Sequence, residues 1–153
     1  SAFDEFVRPV ADEIVDVLKT VNADDVSSSF DAAAAIAELL ASLDLPDGLA
    51  ASITARTNSA SGTLAVRSSA TAEALEGASF AGMYDSFLDA TDAESVLSRV
   101  RDVWASYYTG RAISYRQRMN IPHEQGRMAV LVMELIDADA EFELDELAQG
   151  EEE

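Results

Sequence analysis

Between Ala65 and Glu73 the chain reads Ala65-Val66-Arg67-Ser68-Ser69-Ala70-Thr71-Ala72-Glu73, one arginine followed within four residues by three hydroxyl side chains. Small residues surround them, and Gly77 and Gly82 lie just beyond. A guanidinium offers a planar fork of donors, and hydroxyls and backbone N–H groups in a small-residue loop add to it; together they form a donor set that holds phosphate oxygens. Two uses of Arg67 stay open on this pattern: a phosphate contact, or an ion pair with one of the chain's many carboxylates. A second group of cations, Arg99, Arg101, Arg111, Arg116, Arg118 and Arg127, makes the segment that contains them locally positive. Positive charge around a triphosphate is what phosphoryl transfer requires, and Arg111 and Arg118, seven apart, would share one face of a helix. Salt bridging is the alternative use for these arginines.

Other chemistries find no residues here. The sequence has no cysteine, hence no thiol nucleophile, disulfide framework or cysteine zinc site. His123 is the only histidine; it follows Pro122 in a turn and reads as a structural or surface residue. Neither a Gly-x-x-x-x-Gly-Lys-Ser/Thr loop nor a Gly-x-Ser-x-Gly elbow occurs. Pairs such as Asp24-Asp25 read as solvated charge. The 153 residues carry a net charge of −19, which argues against nucleic acid or an anionic membrane surface as a partner. Nine of the ten basic residues are arginine, Lys19 being the exception. A lysine-poor, carboxylate-rich surface suits concentrated salt, where screening suppresses self-repulsion; an acidic recognition surface is the alternative. No run approaches the roughly 18–20 apolar residues of a membrane span, and no signal-peptide pattern opens the chain, so a cytoplasmic protein is expected.

The elements that must position these groups follow from periodicity. Phe3, Phe6, Val7, Val10, Ile14, Val17, Leu18 and Val21 recur at helical steps and predict a helix over 2–21, bent or restarted at Pro9. A second helix is predicted over 29–43, capped by Ser28 with Asp31 in its first turn, and a third over 47–58 after Pro46. The period then changes: Leu64, Val66 and Ser68 alternate with Ala65, Arg67 and Ser69, as in a half-buried strand, followed by a loop over 70–82 and a strand over 83–90. Thr91-x-x-Glu94 reads as a capping box opening a helix to about 108. Gly110 breaks that helix, a short basic helix follows over 111–119, and the apolar run Met128 to Ile136 predicts a central strand covered on both faces. The fold class is α+β, with N-terminal helices followed by mixed strands and helices. Residues 134–153 hold ten carboxylates and no base; positions 141–153 read as a disordered acidic tail, with Phe142, Leu144 and Leu147 permitting one weak amphipathic turn.

Five ordered blocks carry a resemblance: Val66-Arg67-Ser68-Ser69-Ala70-Thr71-Ala72-Glu73, Ala78-Ser79-Phe80-Ala81-Gly82, Asp85-Ser86-Phe87-Leu88, Trp104-Ala105-Ser106 and Arg111-Ala112-Ile113-Ser114-Tyr115-Arg116. Over roughly residues 1–138 the chain resembles the ATP-binding domain of the phosphoenolpyruvate synthase and rifampicin phosphotransferase family. The resemblance implies residues 1–140 as part of an ATP-grasp-like domain that binds ATP with Mg2+ and passes a phosphoryl group to a histidine on a separate domain. It implies phosphate contacts from Arg67, with Ser68, Ser69 and Thr71 lining the same loop, and a mobile loop at Phe80, Ala81 and Gly82. It also implies an adenine-binding hinge at Glu134, Leu135 and Ile136. Departures accompany it. Met133 stands where the family usually has glutamine, and Ala74 where it has aspartate. The family's phosphate-binding lysine lies upstream of the match, and Lys19 does not correspond to it. The metal-binding glutamates that would follow Ala140 have no counterpart in Glu141 to Leu147. These departures imply a portion that is inactive alone, with nucleotide and possible missing family domains on another chain as partners. The alternative is a non-catalytic, acidic interaction module that retains the fold.

Overall fold

The computed structural model describes residues 1–60, 62–70 and 83–135, apart from the Gln125 side chain. The loop expected over 70–82 lies outside them beyond Ala70 and so does the acidic segment 141–153. The N-terminal apolar stripe forms two helices, α1 (Ala2–Val7) and α2 (Ala11–Leu18), joined by a 3-10 turn at Arg8–Val10. Pro9 has no N–H to give an unbroken helix, so the chain restarts there while Phe3, Phe6 and Ile14 still reach one core.

Helix α3 (Val26–Ala41) begins earlier than its sequence suggests. The Asp25 carboxylate accepts the Ser27 N–H at 3.0 Å and caps it, while the Ser28 hydroxyl, inside the first turn, donates to the Asp25 carbonyl at 2.6 Å. Asp31 therefore lies beyond the first turn. Helix α4 (Asp47–Thr57) follows Pro46 as expected. Helix α5 (Ala93–Ser106) uses a capping box one residue along from Thr91 and Glu94: Asp92 accepts the Ser95 N–H at 2.8 Å, and Ser95 Oγ accepts the Asp92 N–H at 3.1 Å. Helix α6 (Gly110–Arg118) starts at Gly110, with Thr109 as cap. A β-carbon on Gly110 would sit 2.5 Å from the Phe30 ring, so glycine here lets α6 lie close against α3.

Three antiparallel strands, β1 (Leu64–Ala70), β2 (Ser86–Ala90) and β3 (Met128–Glu134), form one sheet in the order β2-β1-β3. Helix α5 packs on one side of it. Trp104 Nε1 donates to the Met128 carbonyl at 3.1 Å, and Phe3 and Phe6 meet the Trp104 ring at centroid distances of 6.2 and 5.0 Å. The architecture is α+β, with β1, not β3, at the centre. The apolar run from Met128 is therefore an edge strand among the described residues, and Leu131, Val132, Met133 and Leu135 are exposed. Continuous hydrophobicity alone could not reveal that, among the described residues, it has a strand on one side only. No helix of the described residues is long and apolar enough to cross a membrane.

Candidate functional site

Strand β1 pairs with β3 residue by residue from Leu64 to Ala70. Arg67 thus lies within the strand, not at its end, and Ser68 and Ser69 belong to the strand as well. Side chains alternate along a strand, so Arg67 and Ser69 share one face while Ser68 takes the other. Leu64, Val66, Ala70, Met128 and Val130 join the core beneath the helices; the opposite face carries Arg67 between Ser86 of β2 and Leu131 of β3. Arg67 is exposed, and no carboxylate of the described residues pairs with it. Other arginines are paired: Arg99 bridges Asp89 and Asp102, Arg101 pairs with Asp44, and Arg127 pairs with Asp4.

Met133 lies two residues beyond Leu131 on that open face, roughly 7 Å along the strand, and both side chains are exposed. The face therefore combines a cation with an apolar surface beside it. Glu134 ends β3; the N–H of Leu135, the next residue, donates to the Thr63 carbonyl at 2.9 Å, so that amide serves the sheet and is not directed to a ligand. Thr71, Gly82 and Ile136 lie outside the described residues. Arg67, Ser69 and the end of β3 are thus brought onto neighbouring strands, and Ser68 is turned away.

Arg111 and Arg118 stand exposed on α6, while Arg116 is fully buried. Arg116 Nε donates to His123 Nδ1 at 3.0 Å, Nη2 donates to the Tyr107 carbonyl at 2.6 Å, and the guanidinium lies 4.0 Å over the Tyr107 ring. The Tyr107 hydroxyl in turn donates to the His123 carbonyl at 2.9 Å. An arginine only donates, so His123 is neutral with its proton on Nε2. Burial, reinforced by Arg116, lowers its pKa to about 4. Burial also raises the Tyr107 and Tyr108 phenols. This cluster joins α5, α6 and the turn before β3, and it gives His123 a structural role. Its signal was in the sequence: Ala112, Ile113 and Arg116 share a helical face, which places the arginine on the buried side.

Among the described residues no group of three or more His, Asp and Glu side chains is placed to hold a metal ion. Residues 1–148 match the family of the pyruvate phosphate dikinase AMP/ATP-binding domain. The chain is 34% identical over 139 residues to a probable phosphoenolpyruvate synthase of Pyrococcus abyssi, covering 86% of this chain and 17% of that protein. It is 38% identical over 131 residues to a rifampicin phosphotransferase of a Streptomyces species, covering 84% of this chain and 15% of the relative. The phosphoenolpyruvate synthase of Pyrococcus furiosus gives 34% over 139 residues, 86% of this chain and 17% of its own length. The chain thus spans about a sixth of the curated relatives it matches.

Proposed function

This chain belongs to the pyruvate phosphate dikinase AMP/ATP-binding domain family, and on that premise we propose that it is the ATP-binding portion of a phosphotransferase that phosphorylates a histidine held on another domain. The nucleotide lies on the open face of the sheet. Arg67 engages phosphate oxygens through its fork, Ser69 adds a hydroxyl, and the purine lies toward Met133 and the Glu134–Leu135 end of β3. The observation that carries this reading is Arg67 itself: an exposed arginine in a chain of 29 acidic residues that no described carboxylate neutralises. A guanidinium that no described carboxylate meets, beside exposed apolar side chains, suits an anionic ligand with a flat apolar end.

The phosphoryl acceptor is set elsewhere. A phosphoenolpyruvate synthase and a rifampicin phosphotransferase match the same region of this chain, so the difference between their acceptors lies outside what the region shares. Alone, the chain binds nucleotide without net phosphoryl transfer, since transfer requires charge neutralisation and an aligned acceptor. An acidic, lysine-poor surface adapted to high salt and a cytoplasmic setting complete the reading.

Titrating ATP and ADP against the wild type, Arg67→Ala and Arg67→Lys, with melting curves alongside, tests the assignment. Arg67→Ala is expected to weaken binding about ten- to a hundredfold, the worth of one charge-assisted phosphate contact. Arg67→Lys restores part of it, because a point charge cannot reproduce the planar fork. Equal affinities in all three proteins would overturn the assignment.

A further inference from the structure

Helix α3 carries two apolar faces. Ala32, Ile36 and Leu40 enter the core, while Phe30, Ala34 and Ala37, recurring at steps of four and three, form a second face exposed to solvent. Phe30 is 56% exposed. A β-carbon on Gly110 would nonetheless meet its ring, so the ring rests against the start of α6 while much of the side chain stays open. An aromatic ring held in place yet left uncovered is a ready contact surface.

Phe87 of β2, Ala105 of α5 and Tyr108 line a groove together with this face, and its volume is about 600 Å3, within the roughly 300–1,000 Å3 of small-molecule sites. Its polar groups are few and most are committed. Ser106 Oγ accepts the Asp85 N–H at 3.2 Å and donates to the Val103 carbonyl at 2.7 Å. Thr109 caps α6, and Asp102 takes a bond from Arg99. The Asp85 carboxylate is the exception: Ser106 fixes its backbone, the residue is exposed, and no described cation pairs with it. No basic side chain of the described residues lines the groove. Beside it the molecule already seats a cation on such a wall, since the Arg99 guanidinium lies 4.5 Å over the Phe87 ring and donates to Asp102 at 3.1 Å.

We propose that this groove binds a small amphiphilic organic cation, its flat apolar body lying on Phe30 and the alanine wall and its ammonium group on the Asp85 carboxylate. Aromatic faces attract a cation, and the carboxylate supplies the opposite charge. An anion of the same shape is repelled by Asp85 and Asp102 and by the field of a chain carrying −19. The groove is separate from the open face of the sheet. Phe87 pairs with Val66, which is buried in the core, whereas the neighbouring pair of Ser86 and Arg67 faces the other way. The inference is therefore independent of the nucleotide reading.

The test titrates the intact chain, in dilute buffer, with phenethylammonium, phenylethanol and phenylacetate, which share a ring and differ in charge. Binding is read by NMR at the methyl groups of Ala34, Ala37 and Ala105 and at the amides of Ser106 and Gly110. Phenethylammonium is expected to shift these signals and to bind about fivefold to tenfold more tightly than phenylethanol, as for a charge-assisted contact weakened by solvent. Phenylacetate is expected to leave them unmoved. Asp85→Asn abolishes the preference for the cation and leaves the binding of phenylethanol unchanged. Phe30→Ala is expected to weaken both ligands about threefold to tenfold. Phe30→Leu keeps an apolar contact with Gly110 and serves if the alanine variant melts early; it is expected to lower the affinity for the ammonium more than that for the alcohol. Arg67→Ala leaves the titration unchanged, so loss of ATP binding with retained cation binding would leave this inference standing. Three results would overturn it: the three ligands bind alike or not at all, the preference for the ammonium survives Asp85→Asn, or light scattering shows a dimer that Phe30→Ala disperses, which would make a second copy the occupant of the groove.

Discussion

Arg67 and Arg116 are the same side chain in opposite situations. Arg116 is sealed in the core, and its partners are a neutral imidazole, a backbone carbonyl and a tyrosine ring. Arg67 stands on an open sheet face with no described carboxylate to meet it. A buried cation can be held by dipoles and an aromatic face when these converge from three elements, and its fixed position then makes it a brace. An exposed cation gains little from a surface ion pair and keeps its donors for a ligand. Burial and the nature of the partners therefore separate a structural arginine from the one proposed to bind phosphate, where sequence shows only two arginines near hydroxyl-bearing residues.

The largest effect that would test this contrast is on folding. Arg116→Ala is expected to cost about 3–5 kcal/mol, as for truncation of a large buried side chain, because it leaves a cavity and strips the Tyr107 carbonyl of its donor. Urea unfolding followed by tryptophan fluorescence measures this, with Trp104 as the reporter. Arg67→Ala should unfold with the wild-type midpoint and lose nucleotide affinity instead. If Arg116→Ala melted normally and lost ATP, the two roles would be reversed.

Salt separates the two regions more finely. Screening reduces the self-repulsion of a chain with charge −19 and should raise the melting temperature between dilute buffer and molar potassium chloride. The same screening weakens an exposed guanidinium's hold on phosphate. ATP affinity is thus expected to fall while stability rises, and the salt dependence of binding should be shallower in Arg67→Ala. A melting temperature that falls with salt would contradict the halophilic reading of the charge.

Much of this organisation was legible because local rules acted alone. Pro9 marks the break between α1 and α2, and the change from a period of 3.6 to one of 2 marks the start of β1. Caps were less readable, since Asp25, Ser28, Thr91 and Asp92 are all competent cap residues and the choice depends on which turn the tertiary packing extends. Strand position was not readable at all. Met128 to Ile136 has the composition of a central strand, yet whether a strand is central depends on neighbours distant in sequence, and among the described residues β1 takes that place. In the candidate site, the alternation along β1 puts Arg67 and Ser69 on one face in the sequence itself, but the division between Ser68 and Ser69 depends on the ladder continuing to Ala70. Charge alone places Arg116 with the other arginines of its segment, whereas its helical phase with Ala112 and Ile113 puts it inside.

The smallest effect concerns His123, the partner that Arg116 holds neutral. Its ordinary pKa is 6.5, and in the folded protein it is lowered to about 4 by burial and then by Arg116. Between those values the unfolded chain binds a proton that the folded chain refuses, so the contribution is fully present above about pH 6.5 and is lost as pH falls toward 4. Partial exposure of the ring limits the size of the effect. Carboxylates act in a lower window: the pKa values of Asp89 and Asp92 are lowered by their bonds to Arg99 and Ser95, and that of Asp4 by its bonds to the N-terminus and Ser1 against opposing burial, so their stabilisation fades below about pH 4. His123→Gln keeps an acceptor for Arg116 Nε but has no proton to gain. Its stability should change less than that of the wild type between about pH 7 and about pH 4.5, read as the urea midpoint at each pH. The affinity for ATP should not follow the same curve, because the brace and the open face are separate. A wild-type protein whose midpoint is level across that window would place His123 in contact with water and remove it from the brace.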